Sequence, residues 1–189
     1  MNRNSKRSEI LKVACRLVRR HGAAHLTLDA VAKEAGVSKG GLLYHFPTKE
    51  SLIQAALDDF LDRFDSDTDA EATRNQTLDN RWAQAYLIKT FEIDKEDLEM
   101  SFGILAAASN QPAMLDPMRE RYVLWQGRMA AECRDPVEAT IARLAADGLF
   151  YCELFGFAPL DSRLRSDVLA YLMTMVKSRD QKGMSDGGI

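Results

Sequence analysis

Apolar residues return every three to four positions along nearly the whole chain, and no run alternates with a period of two. That pattern predicts helices and no sheet. Ile10, Leu11, Ala14, Leu17 and Val18 mark a first helix over residues 8 to 20, stopped by Gly22. Leu28, Val31, Ala32 and Ala35 mark a second, capped by Thr27 and ended by Gly36; Ser38 then caps a third, from Lys39 to about His45. Pro47 breaks the chain and Thr48 caps a fourth helix. Leu52, Ile53, Ala56, Leu57, Phe60, Leu61 and Phe64 carry it from Lys49 to about Asp65 as one stiff rod. Further helices are predicted over residues 78 to 91, 95 to 109 (capped by Asp94), 117 to 133 (capped by Asp116, with Pro117 at its first position) and 136 to 155 (opened by Asp135-Pro136). A last one follows Asp161. The expected architecture is all-α, with about nine helices.

Within this series, residues 27 to 49 stand apart. Two short helices meet at a glycine turn, and Val37 fills the angle between them. Leu42 and Phe46 take the inward side of the second, which leaves Lys39, Gly40, Gly41 and Tyr44 facing outward. Two glycines weaken a helix chosen only for stability, so something is expected to approach that face closely. A short, basic second helix of this kind describes a helix-turn-helix whose second helix enters the DNA major groove. Residues 1 to 7, polar and basic, read either as an arm lying along DNA or as a disordered terminus.

Charge sharpens this picture. The chain of 189 residues carries a net charge of -3. Residues 1 to 49 hold ten Lys/Arg against three Asp/Glu, however, and residues 50 to 189 hold fifteen against twenty-five. With a Debye length of about 8 Å at physiological salt, the basic head presents its own field to a nucleic acid. Cys15, Cys133 and Cys152 have no zinc or redox-pair spacing, which fits a reduced, cytoplasmic setting. No signal-peptide pattern and no membrane-spanning run is read. His21 and His25 are four apart, but Gly22 between them argues against a metal site. The acidic stretch Asp65-Ser66-Asp67-Thr68-Asp69 lacks the glycine and terminal glutamate of a calcium loop and reads as solvated surface.

Ile10 to Gly22, Leu28 to Gly40 and Tyr44 to Leu52 together make residues 8 to 57 resemble the DNA-binding domain of the TetR (tetracycline repressor) family. One position departs from the family's usual pattern. Leu42-Leu43-Tyr44-His45-Phe46 has Leu43 where Tyr is common, so the phosphate contact of that Tyr either passes to Tyr44 or is absent. The expected DNA-binding set is Thr27, Ser38, Lys39, Gly40, Gly41, Tyr44, His45 and Lys49. Lys39 would reach a base edge or phosphate, and the two glycines would permit close approach. Thr27, Tyr44 and Lys49 would position the backbone, while His45 either donates to phosphate or serves as a helix-terminal group.

The resemblance implies a helix-turn-helix domain over residues 1 to 48 and a helical effector-binding and dimerisation domain over residues 49 to 181, with a disordered tail over 182 to 189. Met118, Tyr122, Trp125 and Met129 form an aromatic and methionine stripe, which reads as core or as the wall of the ligand cavity that the family commonly encloses. Trp82, Tyr86, Phe102 and Phe150 are further wall candidates. The last two helices carry excess apolar surface at Ile141, Leu144, Ala145, Leu149, Leu164, Val168 and Leu172, and would form a four-helix interface with a second subunit.

The function expected is a regulator, a repressor in the first instance, that binds a palindromic DNA operator as a homodimer and is released by an apolar or aromatic small molecule. Control by a protein partner, or by oxidation with Cys133 as sensor, is the alternative. No nucleophile-base pair and no phosphate-cradling glycine loop is found, and all three histidines lie in residues 21 to 45. Neither an enzyme nor a cofactor is expected.

Overall fold

The computed structural model describes residues 3–22, 25–74, 80–108 and 111–176. Among these residues there are nine α-helices and no strand: α1 Arg3–His21, α2 Leu28–Glu34, α3 Lys39–His45, α4 Lys49–Arg74, α5 Arg81–Phe91, α6 Lys95–Ala108, α7 Asp116–Glu132, α8 Pro136–Phe155 and α9 Ser162–Met175. A 3-10 turn, Pro112–Leu115, precedes α7. The tail expected at 182 to 189 and residues 78 and 79 of the helix expected from 78 lie outside the described residues; Asn80, expected inside that helix, is its non-helical N-cap. No helix among the described residues is long and apolar enough to cross a membrane.

Most helix ends obey local chemistry. Thr27 Oγ1 accepts from Ala30 N, Ser38 Oγ from Gly41 N, Asp135 Oδ1 from Val137 N and Glu138 N, and Asp161 Oδ1 from Leu164 N. Thr48 and Ser51 cap α4 reciprocally, each side chain accepting from the other's backbone N–H at 3.0–3.1 Å. Gly22, Gly36 and Gly156 take left-handed angles at three helix ends.

Four expectations are corrected. From Arg3 on, the segment expected as an arm or a disordered terminus is helix, because α1 begins there; once the apolar stripe nucleates a helix, adding turns of Lys, Arg and Ser is inexpensive, and the Arg7 guanidinium lies over the Phe46 ring at 5.1 Å. Helix α4 does not stop near Asp65 but runs to Arg74. Within the acidic stretch Ser66, Asp67 and Asp69 are exposed as expected, but Asp65 is half-buried and partnered, and Thr68 is buried. Asp116 is no cap: its own backbone is helical, and its carboxylate holds Arg119.

The chain groups into two compact units, Met1–Asp62 with Asp94–Arg119, and Arg63–Ile93 with Glu120–Ile189. In the first, α1 packs on α2 and α6, and α2 on α3. Its core includes Ile10, Val13, Ala14, Val31, Leu42, Phe46, Leu52 and Ile104, all buried; fully burying one such large aliphatic side chain contributes about 1.5–3 kcal/mol. In the second, α5 packs on α8 and α9, and α8 on α9. Trp82, Tyr86, Leu87, Met129, Ala142, Ala146 and Leu172 are buried there.

Candidate nucleic-acid interface and helical body

The head presents α3 as foreseen. Leu42 and Phe46 are buried, whereas Lys39, Gly40, Gly41 and Tyr44 are exposed, Tyr44 by 64%. Gly40 has nothing within 4 Å of where a β-carbon would stand. At Gly41 that carbon would meet Ser38 Oγ at 3.2 Å, so this glycine leaves room for the cap at the start of α3. The Tyr44 ring stands edge-on to His45 at 5.2 Å. Thr27 and Ser38 are exposed, and Lys49 and His45 are half-buried. His25 Nδ1 bonds the His21 carbonyl at 2.6 Å. Two acids on α2 hold bases of the head: Asp29 with Lys39 at 2.9 Å, and Glu34 with Arg20 at 3.7 Å.

In the second unit four of the predicted wall residues come together. Trp82 and Tyr86 have ring centroids 5.5 Å apart, Tyr86 and Trp125 5.6 Å, and Tyr122 and Trp125 5.0 Å. Phe64, expected only as part of a helix stripe, joins them at 5.5 Å from Tyr86 and 5.1 Å from Trp125. Phe150 is buried beside Tyr151. Phe102 and Met118 belong to the other unit. Phe102 is 47% exposed, because α6 turns Ser101, Gly103 and Ile104 inward and each step of a helix rotates the next side chain by about 100°.

The aromatic cluster encloses polar groups that the periodicity did not reveal. Tyr86 Oη donates to Asp147 Oδ1 at 2.6 Å, and Arg143 holds Asp147 Oδ2 at 2.5 Å. Arg143 Nε also reaches Gln126 Oε1 at 2.6 Å, whose amide donates to Thr140 at 2.7 Å. Trp125 Nε1 donates to Asp65 Oδ1 at 2.7 Å, and Arg121 pairs with the same carboxylate. Burial raises the Asp147 carboxyl above its ordinary value, although Tyr86 and Arg143 pull it back. Burial, and next the Asp147 charge, push the Tyr86 and Tyr122 phenols up. One signal for the site was present in the sequence: Asp147 is a lone carboxylate amid the apolar run of α8, one helical turn after Arg143.

Of the expected interface residues, Ile141, Leu144 and Leu164 are 49%, 55% and 49% exposed. Ala145 is exposed as well, and Val168 is half-buried. Leu149 and Leu172 are buried inside the subunit. Cys133 is fully buried, which closes the thiol proposed as a sensor to oxidants.

Known proteins fall in line with this geometry. The family model "Bacterial regulatory proteins, tetR family" matches residues 10–56, and "Tetracyclin repressor-like, C-terminal domain" matches residues 80–177. The repressor KstR2 of Mycolicibacterium smegmatis is 36% identical over 58 residues, which is 31% of this chain and 28% of its own length. The regulator TtgR of Pseudomonas putida is 40% identical over 52 residues, 28% of this chain and 25% of its own. The chain thus spans well under half the length of the curated relatives it matches. A TetR-family regulator from Rhodococcus sp. shares the fold, with a TM-score of 0.69 at 23% identity over 92% of this chain and 100% of its own. The multidrug binding protein EbrR, in complex with malachite green, has a TM-score of 0.68 at 26% identity over 90% of this chain and 97% of its own.

Proposed function

The chain belongs to the tetR family of bacterial regulatory proteins, with a helix-turn-helix DNA-binding domain, and on that footing we propose that it is a repressor, not an enzyme, that binds a palindromic operator as a homodimer and is released by a small-molecule effector. The observation that carries the DNA-binding half is the outer face of α3. It offers a cation at Lys39, no side chain at Gly40 or Gly41 and an exposed phenol at Tyr44, on a head of ten bases and three acids. A duplex backbone can approach such a face closely, with Thr27, Ser38, His45 and Lys49 around its edge as phosphate-positioning groups.

Dimerisation is supported by the exposed apolar residues Ile141, Leu144, Ala145 and Leu164 and the half-buried Val168, on two helices that pack on each other. A two-fold pairing of α8 and α9 would bury them in a four-helix arrangement and carry two heads to successive major grooves, about 34–36 Å apart. The effector reading rests on Trp82, Tyr86, Tyr122, Trp125 and Phe64 around the Tyr86–Asp147–Arg143 network. Aromatic faces beside a few convergent polar groups suit an aromatic molecule. The relative EbrR is itself a multidrug binding protein complexed with malachite green and with ethidium.

Fluorescence anisotropy with duplex DNA from beside its own gene, against random duplex at two salt concentrations, tests this. Tight, saturable binding of the flanking duplex by two chains, lost on Ile141→Glu together with Leu144→Glu and weakened by an aromatic effector, is expected. Equal, salt-labile binding of both duplexes would leave only the sequence-independent electrostatic component and sink the operator reading.

A further inference from the structure

Lys39 opens the recognition helix, yet its ammonium is already occupied. Its Nζ lies 2.9 Å from Oδ1 and 3.2 Å from Oδ2 of Asp29, in the first turn of α2. Both side chains are mostly exposed, 63% and 71%. A pair as exposed as this is weak in water but stands before DNA arrives, so a ligand must outcompete Asp29, and a base edge with directional acceptors does so better than a single phosphate charge. Its position is the notable feature: Asp29 is a carboxylate of the basic head that reaches across from α2 to the first residue of α3. We infer that Asp29 is a specificity-determining residue, which withholds Lys39 from DNA of arbitrary sequence and releases it only to a site that offers more than charge.

The inference rests on the proposed DNA-binding role of α3. Binding to random duplex comes from neutralised phosphates, and each Lys or Arg that reaches one releases counterions. With both carboxylate oxygens of Asp29 against its ammonium, Lys39 brings less net charge to a backbone that merely passes by. A guanine edge offers directional acceptors at O6 and N7, which add hydrogen bonds that a featureless charge does not. The lysine then moves to the base, and Asp29 stays beside it as a lateral brace. Removing the Asp29 charge frees Lys39 for any phosphate, so random binding gains more than operator binding does.

A structural alternative exists. A lysine at the positive end of a helix is unfavourable, and Asp29 offsets that charge without regard to DNA. Salt dependence separates the two roles, because a purely structural carboxylate does not alter the number of counterions released through Lys39. The experiment compares wild type, Asp29→Asn, Lys39→Met and the double variant, on a random duplex of about 30 base pairs and on the duplex that binds best from beside the gene, across a series of salt concentrations. All four proteins are expected to fold, since both positions are exposed.

With Asp29→Asn, random-duplex affinity rises about three- to tenfold, and the logarithmic salt slope steepens by about 0.9, the value for one added phosphate contact. The ratio of operator to random affinity falls, and in the Lys39→Met background the change in slope disappears. An unchanged slope in Asp29→Asn, or the same steepening without Lys39, would overturn the inference. If wild type binds neither duplex at the lowest salt, the regulator proposal fails and takes this inference with it, an outcome distinct from either of those.

Discussion

Gly103 of α6 meets Val18 of α1 so closely that a β-carbon at position 103 would overlap Val18 Cγ1. Contact at this range exists only because position 103 has no side chain. Gly103→Ala is therefore expected to destabilise the chain by about 1–3 kcal/mol, the range for overpacking a filled interior, despite alanine's higher helix propensity. Urea unfolding measures it. Adding Val18→Ala to Gly103→Ala should recover part of the loss, and a loss unchanged by Val18→Ala would place the strain elsewhere.

Gly40 is the opposite case. A β-carbon there meets nothing within 4 Å. Gly40→Ala should raise stability by up to about 1 kcal/mol through helix propensity alone. It should also weaken operator binding if DNA approaches this face as closely as proposed. Thermal unfolding and anisotropy on the same preparation check both halves; unchanged DNA affinity would mean that the backbone is not approached at this position.

The N-terminus of α5 is closed from another helix. Its own N-cap, Asn80, makes no capping bond and instead donates to the Val176 carbonyl. Glu132 Oε2 of α7 accepts from Trp82 N at 3.0 Å and Ala83 N at 3.2 Å. Glu132 Oε1 also holds Arg128, whose guanidinium lies over the Trp82 ring at 4.7 Å. Glu132→Ala should cost about 1–2 kcal/mol, as loss of a cap does. Glu132→Gln, which keeps an acceptor, should cost less, and equal losses in urea unfolding would argue that charge rather than capping matters.

Alkaline pH should unfold the body through two phenols. Tyr86 and Tyr122 both ionise above the ordinary 10.0 in the folded chain, by burial first and then by the Asp147 charge. Below about pH 10 both states keep these protons. Above it the unfolded chain ionises first, so folding stability is lost as pH rises, by up to about 1.4 kcal/mol per pH unit for each phenol. Urea midpoints between about pH 9.5 and 11 should fall less steeply in Tyr86→Phe and in Tyr122→Phe than in wild type. A slope unaltered by either substitution would show that other groups carry the alkaline loss.

Much of the architecture was legible because its causes are local. A threonine, serine or aspartate that caps a helix acts within three residues, so Thr27, Ser38, Asp135 and Asp161 mark their helices without knowledge of anything distant. Spacings of three and four likewise showed which side of α3 turns inward, at Leu42 and Phe46, and hence which side is left exposed.

Side-chain partners across the fold were not legible, because period and propensity carry no information about them. Asp65 finds Arg121, 56 residues on, and an acidic stretch that reads as solvated becomes part of a packed helix. Phe102 lies exposed because Gly103, its neighbour, is the residue pressed against α1. Asp147 sits buried among aromatic rings because Tyr86, 61 residues away in sequence, supplies a hydrogen bond and Arg143 a charge. The sequence alone determined the helix ends that a local cap or glycine closes and which side of α3 turns inward, since one turn of backbone contains the physics, but not how far α1 and α4 extend. Tertiary structure alone decided which polar groups are buried and paired, since desolvating a charge is tolerable only where distant parts of the chain bring its partners.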